Sequence, residues 1–224
     1  MYVTLPTVNS TIGPVLSLQT SHRNQAETRL KAGSYLYYEG DKVNWLYQVK
    51  SGVLRLARLL EDGRRQVIAF GYPGDVVGFP SDGLHHTDCD ALADARLQPL
   101  HRSALEHGGR DDKLHALLLE AAMREISAMQ DHFMMLGHKS AVEKVASFLS
   151  VLIARHGTDQ DGKRQIDLPM PRADIADFLC LSTETVCRTF AQFHRRGIIA
   201  VDNIYTIILL QPEALVALSK GDAD

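Results

Sequence analysis

Cysteine is nearly absent, with only Cys89, Cys180 and Cys187 in 224 residues, and no C-x-x-C pair. So sparse and odd a set argues against a disulfide scaffold and fits a reducing compartment, so a cytoplasmic location is expected. Aromatic residues are few at 7%, while the charged fraction is ordinary at 23% and the hydrophobic fraction is 45%. That composition excludes disorder, collagen and fibres, and provides enough apolar material for one large core or two modest ones. Apolar runs extend for only a few residues, so no segment spans a bilayer and no membrane partner is expected. Met1 to Ser10 lacks a basic region followed by a long apolar stretch, so no secretory signal is expected. Positive charge is not in surplus either. At a net charge of −3 the protein is not coated in basic residues, and any nucleic-acid site must be local. A Ser/His/Asp set, a phosphate loop and a nucleotide-binding glycine motif are all missing from fitting contexts, so no enzyme is expected.

What is present changes character along the chain. Residues 1–26 are polar and read as a flexible arm. In residues 27–108 glycines such as Gly40, Gly52, Gly63, Gly74 and Gly83 punctuate short runs rich in Val, Leu, Tyr and Phe, a spacing that predicts an antiparallel sandwich or roll. Residues 109–137 predict one long helix ended by Gly137. Leu114, Leu118, Ala121, Glu125, Met129, His132 and Leu136 fall on one stripe of a seven-residue repeat. A second apolar edge holds Ala122, Ile126 and Phe133, roughly 90° away by the 100° rule. Two apolar edges on one helix need two partners, so the first stripe is assigned to a dimer interface, with Glu125 and His132 as its polar exceptions. A single wide core face is the alternative. Residues 138–224 predict a helix from Ser140, a polar turn over residues 157–163, a short strand and then two helices.

Those last two helices carry the chemistry. Arg172 to Leu179 is followed by a turn at Cys180-Leu181, an N-cap at Ser182, and a helix to Arg196 before Gly197. This spacing is the helix-turn-helix outline. Val186, Phe190 and Phe193 cluster on one side of the second helix, leaving Glu184, Cys187, Arg188, Ala191 and Arg195 on the other. Such a helix packs by one face and presents the other to the major groove. Arg188 can fork onto guanine O6 and N7, Glu184 can accept from cytosine N4, and Thr183 and Thr185 suit phosphate or base contacts. The bland alternative is a solvated face bearing one ordinary ion pair. Apolar Ile198 to Val201 and Ile204 to Leu210 then predict a hairpin, making a winged variant.

The run RADIADFLCLSTETVCRTFAQFHRRGII resembles the DNA-binding signature of the CRP/FNR family. GHKSAVEKVASFL resembles the segment after the dimer helix in the FixK-like branch, and residues 37–78 resemble the family's β-roll. The resemblance covers about residues 27–220 and implies an α+β chain. Its parts are an N-terminal antiparallel, cyclic-nucleotide-binding-like roll, a long dimerisation helix and a C-terminal winged helix-turn-helix. It implies a homodimer on double-stranded DNA with RNA polymerase as a further partner, and adds Arg172 to the DNA-binding residues. Glu184 and Arg188, with Thr183 in front, match the FNR and FixK pattern and imply TTGAT-like half-sites in an inverted repeat.

Departures from the family narrow the expectation. No cysteine precedes Cys89, so no iron–sulfur cluster is expected. Phe79-Pro80 and His86-Thr87 stand where the cyclic-nucleotide branch has its Glu and its Arg-Ser pair, so cyclic AMP is not expected. Cys180 replaces a glycine at a turn expected to be left-handed. Cys187 replaces a serine near a helix N-terminus and beside Arg188, which suits either a redox switch or an inert contact residue. His85, His86, Asp88, Cys89 and Asp90 hold potential metal ligands but no established ligand spacing, and are read as a solvated loop with no metal. A ligand-gated regulator with an unidentified effector in the roll, and a purely structural dimer, are the competing functions.

Overall fold

The computed structural model describes residues 26–106, 111–160, 162–203 and 205–221. All but the last residue of the arm expected over 1–26 lies outside them. Two compact units share one long helix, dividing between Ser127 and Ala128.

The first unit opens with β1 (Thr28–Leu30), β2 (Tyr35–Tyr37), β3 (Trp45–Ser51), β4 (Leu54–Leu59), β5 (Arg65–Gly71), β6 (Val76–Val77), β7 (Asp88–Ala91) and β8 (Ala95–His101). They form two antiparallel sheets in the orders β1-β8-β3-β6 and β2-β7-β4-β5. The β4–β5 hairpin turns at Gly63, whose φ of 80° is open to glycine at no steric cost, while Asp62 Oδ1 accepts from the Arg64 amide at 3.0 Å. Leu46, Leu54, Val67, Phe70, Cys89 and Leu97 are buried in this unit. A short α1 (Ser103–Glu106) leads to α2 (Asp112–His138).

The structure corrects the reading of α2. Leu114 and Leu118, assigned to the dimer stripe, are buried against Leu46 and Leu100 of their own chain. His132 is likewise buried, stacked on Phe178. Of the other stripe residues, Ala121, Glu125 and Leu136 are half-buried and Met129 is exposed. Burial raises the Glu125 carboxyl above its usual range. The edge that faces solvent holds Leu119, Met123, Ile126, Met129 and Phe133, with Phe133 76% exposed. Periodicity located two apolar faces; it could not tell which one the chain's own sheets cover. Gly137 does not stop the helix, which continues to His138. The break comes from Ser140, whose hydroxyl accepts the Glu143 amide while Glu143 accepts the Ser140 amide, a reciprocal capping box that starts the next helix.

The second unit continues with α3 (Ala141–His156), β9 (Thr158–Gln160), β10 (Lys163–Asp167), α4 (Arg172–Leu179), α5 (Thr183–Arg195), β11 (Ile199–Val201), β12 (Thr206–Leu209) and α6 (Pro212–Lys220). The four strands form one antiparallel sheet, β11-β12-β10-β9. The stretch read as a simple polar turn at 157–163 therefore contains a strand, β9, whose three residues are all exposed and carry no apolar alternation to reveal it. Phe148, Leu149, Leu152, Ile175, Phe178, Phe193 and Ile199 are buried in this unit.

Candidate nucleic-acid interface

Buried Ile175, Ala176, Phe178 and Leu179 hold α4 to the core. Cys180 follows at φ 51° and ψ 50°, the left-handed conformation expected of it, and the Leu181 amide returns to the Ala176 carbonyl at 2.9 Å. Ser182 then caps α5, its Oγ accepting the Thr185 amide at 3.1 Å. From there Val186, Thr189, Phe190 and Phe193 turn inward. Thr189 adds a hydroxyl bond to the Thr185 carbonyl at 2.8 Å, so it satisfies itself locally while buried.

The outward face of α5 carries Thr183, Glu184, Cys187, Arg188, Ala191 and Arg195, all exposed. Arg188 Nη1 lies 3.8 Å from Glu184 Oε1, and Arg188 Nη2 lies 3.4 Å from Thr185 Oγ1. Both contacts are long and both charged side chains are solvated, so little holds the guanidinium back from a better acceptor. Thr185 differs from the other reading-face residues. It is half-buried, and its hydroxyl lies 2.8 Å from Ser182 Oγ, so it orders the helix start.

Arg172 is also held back from solvent. Its guanidinium lies 3.9 Å from the centre of the Phe190 ring, a cation–π contact joining α4 to α5. Burial pulls this guanidinium below the usual arginine range, and Cys187 works in the opposite direction, placing the thiol within electrostatic reach of Arg172. Cys187 is thus an exposed cysteine with arginine neighbours on two helices.

The potential ligands at 85–90 part company. His85 stacks on Tyr37 with ring centres 3.5 Å apart, and His86 Nε2 lies 3.3 Å from Arg58 Nη1. Asp88 accepts the Glu39 amide at 2.8 Å, and Asp90 takes a two-pronged bond from Arg55 at 3.0 and 2.9 Å. Cys89 is sealed in the core, where burial pushes its thiol up to about 12. The segment is therefore not the solvated loop expected from its polarity: Asp88 and Asp90 are bonded within the roll, and His85 and Cys89 are buried in it, with His85 Nδ1 lacking a hydrogen-bond partner among the described residues. Among the described residues no three His, Cys, Asp or Glu side chains converge as a metal site. Gly78, at φ 90°, completes the packing: a Cβ there would come within 3.3 Å of the His85 ring and 3.4 Å of the Trp45 carbonyl.

Residues 27–107 match the cyclic nucleotide-binding domain, and residues 143–218 match the Crp-like helix-turn-helix domain. The chain is 38% identical to the nitrogen fixation regulation protein FixK of Rhizobium meliloti (strain 1021), over 84% of each chain. The chain belongs to the CRP/FNR family. Within that family it is also 30% identical to the transcriptional activator protein FnrL of Cereibacter sphaeroides, over 87% of this chain and 80% of that one. The structure of FixK2 from Bradyrhizobium japonicum aligns with a TM-score of 0.78 at 35% identity, covering 89% of this chain and 98% of that one. The CRP/FNR chain is therefore a DNA-binding transcription regulator close to the FixK proteins, and α4–α5 is its helix-turn-helix. Its relatives are regulators rather than enzymes. No described helix is long and apolar enough to cross a membrane.

Proposed function

We propose that this chain is a homodimeric transcription activator that reads an FNR/FixK-type inverted repeat with TTGAT-like half-sites and acts through RNA polymerase. In this reading residues 27–108 form the sensory roll, 109–137 the dimer helix and 138–224 the reading head. The observation that carries it is the exposed Glu184–Cys187–Arg188 face on a helix anchored by Ser182, Val186, Phe190 and Phe193. Thr183 and Glu184 stand at the start of that face, Thr185 orders the helix start with Ser182, and Arg172 braces the two helices. Dimerisation is supported by the unpartnered apolar edge at Leu119, Met123, Ile126, Met129 and Phe133, whose spacing of three and four residues is that of a two-helix seam. The activator names of relatives such as FnrL support the sign of regulation.

Neither cyclic AMP nor an iron–sulfur cluster enters this mechanism. The cassette that would need an arginine for a cyclic phosphate has His86-Thr87 instead, and stacked Tyr37 and His85 pack against Gly78. Titration calorimetry with cyclic AMP tests this: no binding in the micromolar range is expected, whereas micromolar binding that also tightens DNA affinity would overturn it. The exposed thiol of Cys187 favours a second layer, in which peroxide converts it to a sulfenic acid, releasing water, and crowds the DNA backbone. Cys187→Ser keeps a small hydroxyl at the position and should bind DNA while ignoring peroxide. Equal peroxide sensitivity in Cys187→Ser and wild type would place the switch elsewhere.

A further inference from the structure

We propose that His132, on the inward side of α2, and Lys139, one heptad on and just past the end of that helix, are positioning residues that fix the reading head by donating hydrogen bonds to the C-terminal ends of α4 and α6. The proposal rests on the DNA-reading function above and adds a mechanical part to it.

A helix leaves its last four carbonyls without partners from its own backbone amides. Phe178 is the penultimate residue of α4, and Ser219 holds the same place in α6. The His132 imidazole stacks on the Phe178 ring at 4.2 Å and 21°, within electrostatic reach of the Phe178 backbone carbonyl. Phe148 of α3 packs against the same Phe178 ring, at 5.9 Å. Lys139 Nζ donates to the Ser219 carbonyl and, at 2.8 Å, to Ser147 Oγ on α3. A cation at a helix C-terminus is favoured by the helix dipole, so a lysine suits the second site. The first site demands a donor without charge. Burial pulls His132 down to about 4, and Lys144 nearby opposes a second positive charge.

The carbonyl that His132 holds lies two residues before Cys180, whose left-handed backbone turns α4 into α5. Fixing that carbonyl fixes the angle at which α5 presents Arg188. Phe133, the next residue on α2, points to solvent on the face proposed for the partner helix. One turn of α2 thus carries both the dimer contact and the clamp on the reading head. The sequence showed His132 only as a polar exception in an apolar stripe.

The test combines NMR of the wild-type imidazoles with DNA binding by variants. His132→Phe keeps a ring against Phe178 but removes the donor, His132→Gln restores a donor, and Lys139→Met removes the second bond. Affinity is measured by fluorescence anisotropy at fixed salt, on the inverted repeat and on a scrambled duplex. His132→Phe is expected to lose about tenfold on the repeat. Its binding to scrambled DNA and its sedimentation should not change. Lys139→Met should shift in the same direction, and His132→Gln should recover part of the loss. The His132 ring signals should not titrate between about pH 5 and 8. A folded, dimeric His132→Phe with wild-type affinity overturns the proposal. So does a His132 that titrates near its ordinary value of about 6.5. The NMR result decides the matter even where His132→Phe does not fold. Wild-type protein that shows no preference for the repeat would refute the DNA-reading function instead, leaving the NMR arm to decide the clamp.

Discussion

Cys180 places a side chain in a left-handed backbone, at φ 51° and ψ 50°, where glycine has no steric penalty. An L-residue pays about 1–2 kcal/mol there, which the greater unfolded-state entropy of glycine partly offsets. Cys180→Gly should therefore leave the melting temperature unchanged or raise it; a drop beyond error would mean that the exposed thiol packs usefully. In the proposed function Arg188 acts in the complex, not in the fold. Its ion-pair and hydrogen-bond contacts, to Glu184 and Thr185, are long and solvated, so Arg188→Ala should leave stability within about 0.5 kcal/mol. On DNA, the proposed reading has the same change remove a bidentate guanine contact from each half-site, about 1–3 kcal/mol apiece. Affinity for the repeat should fall by orders of magnitude in anisotropy while weak binding to scrambled duplex persists.

At the scale of the element, α2 has a covered face and an exposed apolar one, the latter proposed for assembly. Leu118 is fully buried against Leu46 and Leu100, whereas Ile126 and Phe133 are exposed. Glutamates at Ile126 and Phe133 together should give a folded monomer by sedimentation and abolish binding to the repeat. Leu118→Glu should instead unfold the first unit, since it buries a charge without a partner. Unchanged sedimentation of the soluble double variant would remove α2 from the dimer interface. His132 gives the same helix a pH signature. Its folded value of about 4 lies below an unfolded value of about 6.5, so the unfolded chain binds more protons between the two. Stability should be fully present above about pH 6.5 and decline as pH falls toward about 4, by up to about 3 kcal/mol. Denaturant melts should show this slope in wild type and a shallower one in His132→Phe.

These elements also show what the sequence made legible. The helix-turn-helix was readable residue by residue because caps, turn and apolar arc are all local signals: Ser182, Cys180, and Val186 with Phe190 and Phe193 fell where expected. The faces of α2 were readable only as a pair. Which face is covered depends on Leu46 and Leu100, distant in sequence, and no periodicity reports them. The partners of His85, Asp88 and Asp90 were hidden for the same reason, since strand register alone brings Arg55 opposite Asp90.

For the whole molecule, the central claim is that two copies place two Arg188-bearing helices on one inverted repeat without a small-molecule effector. Helix-turn-helix dimers span half-sites about 34 Å apart, one turn of DNA. The direct measurement is fluorescence anisotropy of the purified wild-type protein, reduced and with no additive. One duplex carries the TTGAT-type repeat; the other carries the same half-sites separated by about five extra base pairs, half a turn. Binding to the repeat at least about a hundredfold tighter than to the misphased duplex, at equal salt, is the expected result. Equal affinity for the two duplexes, or preference for the repeat only after a ligand is added, would contradict the claim.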